Sequence, residues 1–473
     1  MPAVEPTSKN FPSVGLSTDE LNLAARLERL PLTRYQKRVF VVIATAWLFD
    51  SIDLAALTFV LSPISDAFSL TKTQAGLVAS VSFLGMVFGA SFAGALADRF
   101  GRRPVFTTSM IVWGIASLGA ALSWDLTALL VARFFIGLGM GAEFPVAQSL
   151  LSEIIPAHSR GKYVGFLEGF WPIGFIASGA LSLLIVPTFG WRALFVVQAV
   201  LSVYALYIRR AVPESPRWLE ARGRMEDAER SIAAFEGNVA KAYKKPLPPV
   251  PYNKPLPPVR RAGLAPTTVS SKTPISELLG RGYRTRTLMA WGLWFCVLLG
   301  YYGITTWMGK LLADNGMTVS KSIIFVLLMA LWGIPGFLAA SILLERIGRR
   351  SVVIGFVLLS AGAAYVYGGQ TSNMGLIIAG SAMQFFFFGM WSALYAYTPE
   401  VFATRFRATG CGTSSGVGRI GAMLGPLIVP VAIARWNQGV AFAVLAGFMV
   451  VGAALVTIFG PETKDKVLEE ISA

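Results

Sequence analysis

Twelve apolar runs, each close to the length that crosses a bilayer, dominate this chain and leave it few folds to choose from. They lie at 39–61, 75–97, 105–122, 126–151, 162–187 and 191–208. After a long polar gap they resume at 288–308, 323–344, 351–368, 375–397, 410–433 and 439–460. The runs are continuous rather than alternating, so they predict helices and not the short dyad pattern of a membrane barrel. Two of them, 105–122 and 351–368, are short, which predicts upright helices or helices that start earlier. Only 14% of residues are charged, against about 25% in soluble domains. The opening "MPAVEPTSKNFPSVGLSTDELN" lacks a basic-then-apolar leader pattern, so the first run is expected to stay as an anchor.

An even number of crossings puts both termini on one side, and the basic residues indicate which. With a cytoplasmic N-terminus, 34 of the 41 Lys and Arg fall on the cytoplasmic side. Only Lys72, Arg192, Lys310, Lys321 and Arg435 fall outside, and two more lie within runs. This positive-inside asymmetry predicts a membrane protein with both termini cytoplasmic. It accounts for the net charge of +15 without nucleic acid. Cys296 and Cys411 sit in different runs, and His158, the single histidine, is in a polar loop. That excludes a disulfide framework, zinc spacing and a His-based catalytic or metal cluster. No enzyme activity, cofactor or obligatory protein partner is expected; lipid, protons and a small solute are.

The chain divides into a 1–38 N-terminal segment, a six-helix half at 39–208, a 209–287 linker, a second half at 288–460 and a 461–473 tail. The linker holds an amphipathic stretch and then Lys-Pro-Leu-Pro-Pro-Val twice, at 245–250 and 254–259. Such a segment favours extended polyproline II. It reads as a stiff spacer or as a docking segment for a partner's aromatic groove.

The halves repeat each other. "ADRFGRRP" at 97–104 corresponds to "LERIGRRS" at 344–351. One offset of 247 carries Asp98 to Glu345, Arg102 to Arg349, Arg103 to Arg350, Glu153 to Glu400 and Arg160 to Arg407. This predicts an all-α membrane protein of twelve transmembrane helices in two pseudo-symmetric six-helix halves, the architecture of the major facilitator transporters. The repeated charges, with Gly101 permitting a tight reversal, are expected to gate and brace the cytoplasmic side rather than to bind a solute.

Six ionisable groups lie well inside the runs: Asp50, Asp53, Arg133, Glu143, Glu168 and Arg419. Such groups are functional candidates that need a named partner. At about 1.5 Å rise per residue, Asp53 lies roughly 21 Å up from the inner side, and Arg133 roughly 9 Å down from the outer side of a core of about 30 Å. They match in depth and form a candidate protonation switch, with a static buried bridge as the alternative reading. Asp50, one turn below on the same face, is an accessory proton or pocket residue. Glu143 follows "GLGMGAE", whose glycines permit close helix packing, and reads equally as a packing carboxyl. Arg419 falls near mid-membrane, where its guanidinium calls for a substrate carboxylate or a fixed acid such as Asp50 or Glu168. Aromatics gather in the same runs: Trp171, Trp294, Tyr301, Tyr302, Trp391, Tyr395 and Tyr397.

The stretches "WLFDSIDL", "RFFIGLGMGAEFPVA", "LEGFWPIGF", "WFCVLLGYYG", "LYAYTPE" with "RATGCGT", and "GRIGAMLGP" resemble the bacterial niacin transporters of the major facilitator superfamily. The likeness spans roughly 40–215 and 290–430, while "ADRFGRR" and "PESPR" mark only the superfamily. The resemblance implies an alternating-access, proton-coupled importer of nicotinate. The aspartate spacing in the first run is shared with aromatic-acid/proton symporters, which keeps a benzoate-like substrate open. In this reading Arg419 holds the carboxylate, and Trp171, Trp294, Tyr301, Trp391 and Asp50 complete the pocket. Asp53, Arg133 and Asp50 couple protons. Trp332 in "ALWGIPGF" is expected to reshape the pocket, and a transporter-like sensor and a drug-efflux pump are the competing classes.

Overall fold

The computed structural model describes residues 23–156, 159, 163, 166–249, 278–280, 282–402 and 407–463. Every regular element among them is helical. A short α1 (Leu23–Glu28) precedes α2 (Arg34–Ala67), α3 (Lys72–Phe100), α4 (Arg102–Ala121), α5 (Leu126–Ile154), α6 (Phe170–Ser202) and α7 (Tyr204–Ala211). The linker forms α8 (Pro216–Ala221) and α9 (Met225–Tyr243). The second half is α10 (Arg284–Asp314), α11 (Val319–Leu331), α12 (Gly333–Ile347), α13 (Arg349–Gly368), α14 (Asn373–Val401), α15 (Arg407–Arg435) and α16 (Gln438–Phe459).

Eleven stretches are long and apolar enough to cross a membrane. One of them, Phe166–Ile208, has 43 residues, about 65 Å of helix and twice the thickness of a hydrocarbon core. Gly190 interrupts it with φ 76 and ψ 172, so it makes two passes and the described residues cross twelve times. Outward-facing side chains such as Ile115, Leu184 and Phe189 stand exposed on the bundle's surface. So broad an apolar exterior belongs in lipid; the protein is a multi-pass membrane protein. The two short runs do start earlier, at Arg102 and Arg349.

Packing follows the duplication. Within the first half α2 packs on α6, and α5 on both α3 and α4. Within the second, α10 packs on α15, and α14 on both α12 and α13. The halves meet along α3 with α15, α2 with α10, and α6 with α11. A Cβ on Gly137 or Gly141 of α5 would strike the backbone of Ser82 or Met86 on α3, so these glycines permit the closest crossing in the first half.

The repeated turns have a repeated brace. Gly101 (φ 106) and Gly348 (φ 99) adopt a backbone that favours glycine and start α4 and α13. Each new helix is then capped by a carboxylate from the segment just after its own half. Glu214 of "PESPR" accepts from Arg102 N at 3.1 Å and Arg103 N at 3.2 Å. Glu462 of "PETK" accepts from Arg349 N at 3.0 Å. These acids satisfy helix-start N–H groups and complement the positive end of the helix dipole.

On the same face α1 straps the linker helix. Arg26 pairs with Glu229 at 2.7 Å and Glu236 at 2.6 Å, and Arg29 with Glu236 at 2.6 Å. Arg29 also donates to the carbonyl of Pro248, inside the first Lys-Pro-Leu-Pro-Pro-Val copy. The second copy, at 254–259, lies outside the described residues. Trp332, between α11 and α12, is 54% exposed. Its ring is therefore not packed among the bundle's buried rings, whereas the neighbouring Gly333 and Gly336 lie close against Phe388 and Phe385.

Candidate functional site

Two charged groupings occupy the middle of the bundle. In the first, Arg133 Nη1 of α5 lies 3.9 Å from Asp53 Oδ2 of α2, both side chains fully buried. No hydrogen bond reinforces the pair: both Asp53 oxygens, and Nε and Nη1 of Arg133, lack partners. The Trp113 indole lies close enough to Asp53 to act on it, without closing a hydrogen bond. Ser82 Oγ anchors the backbone here by donating to the Arg133 carbonyl at 2.9 Å, and the guanidinium lies 5.9 Å from the Phe195 ring centroid. Asp50 is buried one turn nearer the chain's ends, both its oxygens unpartnered. The charges acting on it are Glu143 of α5, Asp53, and Arg419 of α15 in the other half. Glu143 is fully buried with both oxygens unpartnered, whereas Glu168 accepts from Gln148 Nε2 at 3.0 Å.

The second grouping is built around Arg419. Its guanidinium lies 5.0 Å from the ring centroid of Phe144, across the boundary between the halves. Tyr302, Tyr395 and Asp50 act on it electrostatically, yet no carboxylate among the described residues forms an ion pair with it. Beside it stands a wall of rings. Trp391 and Tyr395, one helical turn apart on α14, stack at 5.7 Å and 26°. Trp294 meets them edge-on at 6.3 and 5.3 Å. Tyr301 meets Trp391 edge-on at 5.3 Å, and Tyr302 lies 6.3 Å from Trp391 and 4.5 Å from Phe83 of α3. Trp171 of α6 closes the far side, 6.3 Å from Phe144. Trp294 has its N–H satisfied by Thr398 Oγ1 at 2.9 Å.

Arg419, Trp171, Trp294, Tyr301 and Trp391 therefore form one connected group, joined to Asp50 by charge. Phe144, Tyr302 and Tyr395 belong to it too. Tyr395 was legible as the i+4 neighbour of Trp391 on one helix face; nothing in the sequence separates Phe144 from ordinary core. Tyr397 points elsewhere and donates to the Pro461 carbonyl at 2.9 Å.

The repeated charges lie apart from this group. Arg349 Nε pairs with Glu400 Oε2 at 3.3 Å, and Thr463 Oγ1 also donates to Glu400. Arg102 Nη1 donates to the Ala97 carbonyl at 3.0 Å, and Glu345 is exposed. Arg160 and the side chains of Asp98, Glu153 and Arg407 lie outside the described residues. On the opposite face the halves touch closely: a Cβ on Gly309 of α10 would run into the Thr58 carbonyl of α2. Trp307 Nε1 of α10 donates to the Pro426 carbonyl of α15 at 3.0 Å on that side.

Two repeated helical halves that enclose a charged, ring-lined centre in a membrane bundle have the build of a secondary transporter. The family model described as "Sugar (and other) transporter" matches residues 40–473, and the chain belongs to that family. It is similar to the niacin transporter NiaP of Acinetobacter baylyi, 34% identical over 95% of this chain and 100% of that one. It is also similar to the 4-hydroxybenzoate transporter PcaK of Pseudomonas putida, 30% identical over 87% of this chain and 89% of that one. Among solved structures, the partially occluded inward-open xylose transporter XylE from E. coli shares the fold. Its TM-score is 0.71 at 18% identity, covering 92% of this chain and 99% of that chain.

Proposed function

We propose that the protein is a proton-coupled importer of nicotinate or a closely similar aromatic carboxylate, working by alternating access in a bacterial cytoplasmic membrane with both termini inside. The observation that carries this reading is Arg419, a guanidinium set against an aromatic wall with no described acid paired to it. A permanently charged group in such a place is matched by an anion that arrives with the substrate. The rings of Trp171, Trp294, Tyr301 and Trp391 offer flat apolar faces and edges for a planar solute.

The half of 39–208 and the half of 288–460 rock against one another about this centre. The close contact of Gly309 with Thr58 then belongs to a state sealed on the side away from the chain's ends. The Asp53–Arg133 pair opens when Asp53 takes a proton and re-forms when the proton leaves, with Asp50 assisting. The repeated turns, with Asp98, Arg102, Glu153, Arg160, Glu345, Arg349, Glu400 and Arg407, act on the cytoplasmic gate.

Uptake of labelled nicotinate into vesicles holding the purified protein tests the reading. Accumulation driven by an inward proton gradient is expected; binding without flux would leave a sensor rather than a carrier. Arg419→Ala should weaken nicotinate binding by about 10- to 100-fold, the worth of a charge-assisted hydrogen bond. Unchanged affinity in that variant would remove Arg419 from the site. A benzoate-like substrate is the second reading, supported by the similarity to the 4-hydroxybenzoate transporter.

A further inference from the structure

In the same aromatic wall as Arg419, four buried polar atoms converge without partners. They are Trp171 Nε1, Trp391 Nε1, the Tyr301 hydroxyl and the Thr305 hydroxyl. The two indoles and Thr305 approach the Tyr301 oxygen, but none closes a hydrogen bond to it. Trp391 and Tyr301 are more than nine-tenths buried. An indole N–H is a donor only, so two such groups aimed at one place call for an acceptor. The Tyr301 and Thr305 hydroxyls can each donate or accept, but no hydrogen bond is closed among the four groups. Native interiors rarely leave donors this way, and each instance asks for an explanation.

We propose that Trp171, Trp391 and Tyr301 form an acceptor-reading subsite, which hydrogen-bonds a ring atom of the bound solute and selects a heteroaromatic carboxylate over a carbocyclic one. The inference rests on the carboxylate-carrier reading of Arg419 and goes beyond it by assigning the other end of the ligand. Arg419 and these donors border one connected group of rings. Phe144 touches both Arg419, at 5.0 Å, and Trp171, at 6.3 Å. Trp391 stacks on Tyr395, which faces Arg419. A solute with a carboxylate at one edge and an unprotonated ring nitrogen at another satisfies both ends. Benzoate has no atom for the donors. Sites built to hydrogen-bond a ligand reject the analogue that lacks the group, because buried donors are left unmet. The subsite draws Trp171 from one half and Tyr301 and Trp391 from the other, so it depends on how the halves meet.

The test is competition binding on the full-length purified protein at pH 7, with nicotinate and benzoate. Wild type is expected to prefer nicotinate by about tenfold or more. Trp391→Phe and Trp171→Phe keep an aromatic ring and remove the N–H, so each should shrink that ratio toward one. Equal affinity of the wild type for the two acids would overturn the subsite and leave the carboxylate-carrier reading standing; it is also what a retained bridging water at the donors would give. An unchanged ratio in both variants would likewise overturn it. Binding of neither acid would overturn the carrier reading and the subsite together. If Trp391→Phe does not fold, the wild-type ratio and Trp171→Phe decide.

Discussion

Replacing Asp53 by asparagine isolates the electrostatics of the central pair. Arg133 Nη1 and Asp53 Oδ2 are 3.9 Å apart with both side chains buried. At an effective dielectric constant near 20, unit charges at that separation attract by about 4 kcal/mol. Among the described residues Asp53 is the one acid that acts on Arg133, so Asp53→Asn removes its counter-charge. Breaking a buried pair in this way costs about 3–5 kcal/mol. No hydrogen bond accompanies the pair, which places the expected coupling at the lower end, about 3 kcal/mol by the same range. A double-mutant cycle with Arg133→Gln, read by unfolding of the purified protein, measures it: the double variant should recover most of the loss of either single one. Transport supplies the second readout. In vesicles Asp53→Asn should lose accumulation driven by an acid exterior and keep counterflow exchange, which needs rocking but no net proton movement. Normal acid stimulation in this variant would refute the coupling role. A coupling energy below about 0.5 kcal/mol, the ordinary additivity error, would refute the pairing.

The capping acids predict two matched, independent losses. Glu214→Ala and Glu462→Ala should each destabilise the protein by about 1 kcal/mol in thermal unfolding, and the two should add because they serve different turns. The α1 strap predicts an acid limit. Burial works against the Glu236 carboxylate, but hydrogen bonds and charge from Arg26 and Arg29 outweigh it and hold its pKa below the ordinary 4.5. The strap's contribution is therefore complete above about pH 4.5 and fades as pH falls through the lower folded value. Amide exchange along α1 should rise in that window and not between pH 6 and 8. Trp332→Leu should leave nicotinate binding unchanged, because this ring is exposed, unlike the buried Trp294, Tyr301 and Trp391; a tenfold loss would place Trp332 in the pocket.

The fold was legible because membrane crossing imposes a long, uninterrupted signal, and because the duplicated charges share one offset. Helix ends were less so. Apolar runs do not mark where a helix starts in its basic flank, as at Arg102 and Arg349. The meeting of Asp53 with Arg133 was legible because helix rise converts sequence position into depth. Facing is harder to read than depth. Trp332 and Trp391 look alike in sequence, yet one is exposed and the other buried. The roles of Glu214 and Glu462 were hidden for another reason: each caps a helix more than a hundred residues away, and no local pattern records that pairing.

The duplication also says where to look for chemistry, through the places where it fails. The turns with their capping acids recur in both halves, as expected of parts that build the scaffold. The centre does not recur. The buried acids Asp50, Asp53, Glu143 and Glu168 all belong to the first half, while the position related to Arg419 by the offset of 247 is Pro172. Arg419 and most of the stacked rings belong to the second. Structure alone gives no reason to load one half with carboxylates and the other with a guanidinium and aromatics, since isolated buried charges cost stability in either. In our reading the asymmetry is functional. The first half handles protons, the second holds the solute, and Asp50 beside Arg419 joins them. Proton uptake on one half then changes the field at the substrate carboxylate on the other. That coupling demands that nicotinate affinity depend on the charge of Asp50, so Asp50→Asn should tighten nicotinate binding wherever Asp50 of the wild type is ionised, by removing a competing negative charge near Arg419. Weaker binding in that variant would mean that Asp50 orients the guanidinium instead.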